Sequence, residues 1–229
     1  MKLRRSTYHV QVADMLRDLI MTGKLKEGDK VNEAGLCDTM GISKTPLREA
    51  LRVLSVEGLI ELVPNRGAFV TQPMLDEITE MFDVMELLEG FCARSACEKL
   101  DDTSFARLEK LHLELEKYYR LCNQAEYVRI NNQYHTFLQE LAGNRALNQI
   151  VTGLRKKILL YRFQSLNQPH RFEESIREHR HLIEAFRKRE PEKAEALMQM
   201  HMKNQCQAMV SLAQKAKSGP VSLAASAKS

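Results

Sequence analysis

The feature that most constrains this chain is a change of hydrophobic period partway through residues 33–71. Two short helical patterns, Glu33 to Met40 and Thr45 to Glu57, are separated by Met40-Gly41-Ile42-Ser43, which leaves room for a tight turn and nothing longer. After Gly58 the spacing becomes that of strands. Leu59-Ile60-Glu61-Leu62-Val63 and Gly67-Ala68-Phe69-Val70-Thr71 flank Pro64-Asn65-Arg66, the pattern of a small hairpin. A helix over 5–22 precedes them, with Val12, Leu16, Leu19 and Ile20 at helical spacing and Gly23 closing it, and Gly28-Asp29-Lys30 reads as a turn. Helix, helix-turn-helix and hairpin in this order predict a winged helix-turn-helix over 1–72.

Pro73 then breaks the chain, and from Leu75 to Ala213 only leucine-, alanine- and methionine-rich amphipathic segments follow. Breaks near Asp101-Asp102, Asn123, Gly143-Asn144, Pro169 and Pro191 divide them into six helices, which predicts an antiparallel bundle over 76–213. The fold class is therefore mostly α. Residues 214–229 are poor in bulky apolar groups and are expected to form a disordered tail. A chain of 229 residues suits two modest domains, and 44% hydrophobic with 28% charged residues excludes a wholly disordered protein. No run approaches the roughly 18 apolar residues of a membrane helix, and the basic start Met1-Lys-Leu-Arg-Arg leads into an amphipathic segment, so a cytoplasmic protein is expected. The five scattered cysteines lack C-x-x-C spacing, which disfavours disulfide scaffolds and cysteine zinc sites and predicts mostly small core residues.

A net charge of +4 permits nucleic acid as a partner without identifying it, so charge placement has to decide. In Ser43-Lys-Thr-Pro-Leu-Arg-Glu-Ala-Leu-Arg-Val-Leu, Ser43 suits an N-cap and Pro46 falls in the first turn, where a missing N–H costs nothing. Leu47, Ala50, Leu51 and Leu54 form one packing stripe, leaving Thr45, Arg48 and Arg52 on the other face. Such a helix can enter the major groove, where Arg48 can donate two hydrogen bonds to guanine and Lys44 can neutralise phosphate. Arg66 and Gly67 at the hairpin tip suit a backbone or minor-groove contact. A lone arginine at helical spacing usually only solvates a surface; here the basic residues share the elements of one motif.

Three of the seven histidines fall on core-facing stripes of different helices. His135 follows Asn131 by one helical turn, on a face with Val128 and Leu138; His179 lines up with Ile176, Ile183 and Phe186; His201 shares a stripe with Leu197, Met198, Gln205 and Met209. His181 points away with Lys188. Three neutral imidazoles and the Asn131 amide oxygen can hold a divalent ion such as Zn²⁺, Ni²⁺ or Mn²⁺, with positions open for water or an acidic ligand. The competing reading is that each is a hydrogen-bonded core histidine.

Residues 30–71, from Val-Asn-Glu-Ala-Gly-Leu-Cys-Asp through Ser-Lys-Thr-Pro-Leu-Arg-Glu-Ala-Leu to the wing, resemble the GntR-type regulators. Asn131-Asn-Gln-Tyr-His135, the Gly143-Asn144 break, Glu178-His179 and Met198-Gln-Met-His201 resemble the helical ligand-binding domain of their FadR-like, FCD-bearing branch. The resemblance implies a homodimer on a palindromic DNA operator, with contacts at Lys44, Thr45, Arg48, Arg52 and Gly67, and a metal held at His135, His179 and His201. Two departures follow: Asn131 stands where an Asp ligand is typical, and Met85 where an Arg often grips the carboxylate of a small-molecule effector. Arg155 or Arg162 can supply that cation. A metal with open positions also describes an enzyme, but no general base is evident on the stripes and a DNA-reading module has no use beside a hydrolase. An architectural DNA-binding dimer with packing histidines and no effector is the remaining alternative.

Overall fold

The fold is given by a computed structural model, which describes residues 7–21, 23–71, 75–166, 168 and 170–217. Its packing divides the chain into two compact units, Met1–Met74 with Arg145–Phe163, and Leu75–Asn144 with Gln164–Ser229.

In the first unit, α1 (Thr7–Met21) and α2 (Glu33–Met40) pack on α3 (Lys44–Val56), and β1 (Ile60–Val63) pairs antiparallel with β2 (Gly67–Val70). The registers Ile60↔Val70 and Val63↔Gly67 make the expected hairpin. Val12, Leu16 and Ile20 of α1 meet Leu47, Leu51 and Leu54 of α3 and Ala68 and Val70 of the hairpin in one core. Each large aliphatic side chain withdrawn from water there contributes about 1.5–3 kcal/mol. The Asn32 side chain caps α2 by accepting from the Gly35 N–H, and Gly41 ends it at φ 63°, so the turn into α3 is fixed at both sides. Ser43 occupies the expected N-cap with extended backbone, although its side chain makes no capping hydrogen bond.

The segment Gly28-Asp29-Lys30 is more than a turn. Lys30 forms an antiparallel bridge with Phe69, the Val31 N–H donates to the Ala68 carbonyl at 2.8 Å, and the Val70 N–H donates to the Asp29 carbonyl at 2.9 Å. Gly28 at φ 78° swings the chain alongside β2, giving the wing a third partner that hydrophobic period did not announce.

The six expected helices after the wing are α4 (Leu75–Lys99), α5 (Asp102–Arg120), α6 (Gln124–Ala142), α7 (Arg145–Ser165), α8 (Arg171–Arg187) and α9 (Pro191–Lys217). Side-chain caps start α5 at Asp101 and α6 at Asn123, and Gly143 closes α6 in the left-handed region. By packing, residues 145–163 of α7 group with the first unit and the other five helices with the second. A Cβ at Gly58, which is held at φ 76°, would lie 3.3 Å from Lys157 Cγ, so Gly58 turns the chain out of α3 where α7 passes close by.

In the second unit the helices close a ring: α4 packs on α9, α9 on α8, α8 on α5, α5 on α6 and α6 on α4. The interior of that ring receives the apolar stripes of all five. α9 runs to Lys217, beyond residue 214 where the tail was expected, because Gln214-Lys-Ala-Lys217 are good helix formers; residues 218–229 lie outside the described ones. Cys92 and Cys97 are buried, Cys37 and Cys206 half-buried and Cys122 exposed, all free, so fewer of the thiols are core residues than expected. No described helix is long and apolar enough to cross a membrane.

Candidate functional site

The recognition face forms because α3 is amphipathic. Leu47, Ala50, Leu51 and Leu54 are at most 1% exposed, which leaves Lys44, Thr45, Arg48 and Arg52 in solvent on the opposite side. Arg48 Nε lies 3.3 Å from Glu33 Oε2 on α2, with the arginine side chain 66% exposed. A pair that exposed is worth about 0–1 kcal/mol, so it aims the guanidinium without tying it down. At the wing, the Arg66 guanidinium sits 5.6 Å from the Phe69 ring centroid. Gly67, at φ 106°, adopts backbone that side-chain-bearing residues rarely take.

Between α3 and the wing lies a groove of about 1030 Å³ whose walls include Lys30, Arg48, Arg52, Asn65 and Arg66. The structure thus gathers the expected Arg48, Arg52, Arg66 and Gly67 around one concavity and leaves Lys44 and Thr45 exposed at the start of α3. It also adds Lys30, which the bridge to Phe69 carries to the groove and which reading the segment as a turn missed.

The second constellation is inside the ring. His135 on α6, His179 on α8 and His201 on α9 are each 0% exposed, and one nitrogen from each lies within 4.8 Å of the others. The ring centroids are 5.3 Å apart for His135–His201, 4.9 Å for His179–His201 and 5.6 Å for His135–His179. Asn131, 3% exposed, precedes His135 by one turn on the same buried face of α6, while His181 is exposed as expected. Tyr134 stands edge-on to His179 at 4.9 Å, and burial pushes its hydroxyl well above the usual phenol range.

Sequence reading missed two carboxylates here. Glu89 on α4, 0% exposed, places Oε2 3.2 Å from His135 Nδ1 and accepts from Gln139 Nε2 at 3.4 Å. Glu178 on α8 takes both Arg171 guanidinium nitrogens at 3.0 Å, accepts from Asn204 Nδ2 at 2.8 Å and lies 2.5 Å from His201 Nδ1. Burial works to raise the Glu178 carboxyl, but the hydrogen bonds of His201 and Arg171 and the Arg171 charge outweigh it and hold it well below the usual carboxylate range. The available signal for Glu89 was its place on the apolar stripe with Ile78, Phe82, Met85, Cys92 and Ala96. Met85, where a cation was sought, is itself a fully buried core residue.

Arg155 is 7% exposed on α7, within the first unit rather than the unit holding the histidines. The side chain of Arg162 lies outside the described ones.

The donor set suits a divalent ion. Three buried imidazoles at this spacing need only small movements to reach ligand distances of about 2.0–2.1 Å from one centre. The buried Tyr134 hydroxyl and the Oε1 atoms of Gln139 and Gln205 have no hydrogen-bond partner among the described residues, so this interior can also accommodate a hydrated species.

Comparison with known proteins matches both parts of the chain. Residues 9–70 match the gntR family of bacterial regulatory proteins, and residues 80–204 match the FCD domain. The chain is 28% identical over 208 residues to the uncharacterized HTH-type transcriptional regulator YdhC of Bacillus subtilis, covering 90% of this chain and 93% of that protein. It is 26% identical to the HTH-type transcriptional repressor NanR of Cronobacter sakazakii, covering 94% of this chain and 90% of NanR. Among solved structures it shares its fold with Escherichia coli McbR/YncC, at TM-score 0.71 and 21% identity over 92% of this chain and 99% of that one. A putative GntR transcriptional regulator from Rhodococcus also aligns, at TM-score 0.72 and 20% identity over 90% of this chain and 99% of that one.

Proposed function

Since this chain belongs to the gntR family of bacterial regulatory proteins and its second part is an FCD domain, we propose that it binds a palindromic operator as a homodimer under the control of a small organic acid. The family consists of DNA-binding transcription regulators, not enzymes. What carries the reading for this chain is the row Lys44, Thr45, Arg48 and Arg52 standing in solvent beside a groove closed on its far side by Arg66 and Gly67. Arg48 and Arg52 read base edges in the major groove, Lys44 and Thr45 hold phosphates, and Arg66 with Gly67 follows the adjacent backbone or minor groove.

An apolar stripe on α4, Val84, Leu87 and Phe91, is 45%, 64% and 46% exposed, which supports pairing with a second copy. His135, His179 and His201, with the Asn131 oxygen, hold a divalent ion of the Zn²⁺, Ni²⁺ or Mn²⁺ class. The ion supplies a Lewis-acidic centre for the effector carboxylate. The protein works in the cytoplasm, where operator and organic acids are both available.

Selection of duplexes from a random pool, followed by anisotropy titration with and without a panel of organic acids, tests this. One enriched inverted repeat whose affinity changes with an acid is expected. No enrichment over random competitor would overturn the DNA reading, and an operator affinity indifferent to every acid would overturn the effector.

A further inference from the structure

Glu89 and Glu178 stand out because a carboxylate withdrawn from water costs several kcal/mol unless it is closely partnered. Each lies against the Nδ1 of a different histidine of the cluster, Glu89 at His135 and Glu178 at His201, and they approach from different helices, α4 and α8. An ionised carboxylate only accepts hydrogen bonds. With the carboxylate accepting, the imidazole facing it carries its proton on Nδ1, which leaves the Nε2 lone pair as the ligand atom. Both carboxylates are themselves held, Glu89 by Gln139 and Glu178 by the Arg171 fork and Asn204, so neither histidine can turn without breaking a buried network.

We propose that Glu89 and Glu178 are positioning residues of the metal centre, which set the tautomer and ring orientation of His135 and His201 before the ion arrives. The proposal rests on the metal reading given above. Outer partners of this kind fix ligand geometry and raise ligand basicity, and losing one lowers metal affinity by about 10–100-fold. Gln in place of Glu keeps an oxygen acceptor, whereas Leu removes it; the two substitutions therefore separate tautomer control from simple packing.

Full-length protein stripped of metal and reloaded with Zn²⁺ or Co²⁺ gives the measurement, with affinity read by competition against a chromophoric chelator and ligand geometry by the visible Co²⁺ spectrum. Long-range ¹H–¹⁵N spectra of the metal-free protein report which imidazole nitrogen carries the proton. Wild type should show Nδ1–H on His135 and His201. Glu89→Leu should lose about 10–100-fold in affinity with an altered Co²⁺ spectrum, and Glu89→Gln should recover most of it. An Nε2–H tautomer on either histidine of the wild type overturns the roles without any variant, even if Glu89→Leu fails to fold. Wild-type affinity in Glu89→Leu does the same. Wild type that takes up neither ion overturns instead the metal reading on which the roles rest.

Discussion

Two arginines show how differently the two parts of this protein use charge. Arg48, on the recognition helix, is 66% exposed and leans on a single carboxylate at 3.3 Å. Arg171, at the start of α8, has a side chain 3% exposed and is locked bidentately on Glu178 at 3.0 Å for each nitrogen. A surface that reads a polyanion has to keep its cations hydrated and releasable until the partner replaces their water. A cluster that holds an ion needs its donors oriented beforehand and has its charges compensated inside the fold. On the proposed function, the same residue type is thus a contact in one unit and part of a framework in the other.

Substitution should separate the two roles cleanly, and the framework should show the largest effect. Arg171→Met leaves the Glu178 charge without its buried partner, and denaturant unfolding should register a loss of about 3–5 kcal/mol with the head's intrinsic base preference unchanged. A loss under 1 kcal/mol would show that Arg171 is solvated like Arg48 and would erase the contrast. Next in size, Zn²⁺ at a hundred times its Kd should stabilise the wild type by about 2.7 kcal/mol, since the ion binds only the folded cluster. The gain should vanish in His135→Ala, and a gain that survives would place the ion elsewhere.

On the reading side, Arg48→Ala should cost about 1–3 kcal/mol at one operator position while leaving unfolding within about 0.5 kcal/mol of wild type. Lys44→Ala should weaken all sequences alike and reduce the salt slope by about one. Equal losses from both on every duplex would mean that α3 contacts only backbone, and the distinction between the two side chains would fall.

Legibility differed between the units for the same physical reason. The head was readable because its signals are local: the stripe of Leu47, Leu51 and Leu54, the left-handed Gly41 and the hairpin around Asn65 are set by neighbours in sequence. Helix limits in the second unit were equally local, marked by Asp101, Asn123 and Gly143. The buried faces of His135, His179 and His201 followed from helical period as well. What spacing could not give were long-range pairings: Lys30 brought to the wing by its bridge to Phe69, Glu89 brought under His135, Glu178 under His201, and α7 grouped with the head. A charged residue is read as exposed by default, and only the packing of other helices shows which ones are not.

The smallest effect sharpens the comparison at a buried group outside the cluster. His112 on α5 is 7% exposed, with Nε2 3.7 Å from Glu116 Oε1. Burial pulls its pKa below the ordinary 6.5; Glu116 and Glu109 on its own helix push it up, and Arg180 and Arg187 on α8 push it down. The folded state therefore keeps His112 neutral at a pH where the unfolded chain already binds the proton. That contribution to stability is complete above about pH 6.5 and is lost as pH falls through 6.5 toward the depressed folded value. Between pH 7.5 and 5.5 the wild type should lose more stability than His112→Leu, the difference removing the titration of every other group common to both. Parallel curves would mean that water reaches His112 freely, making the interior beside α5 as open as the surface of α3.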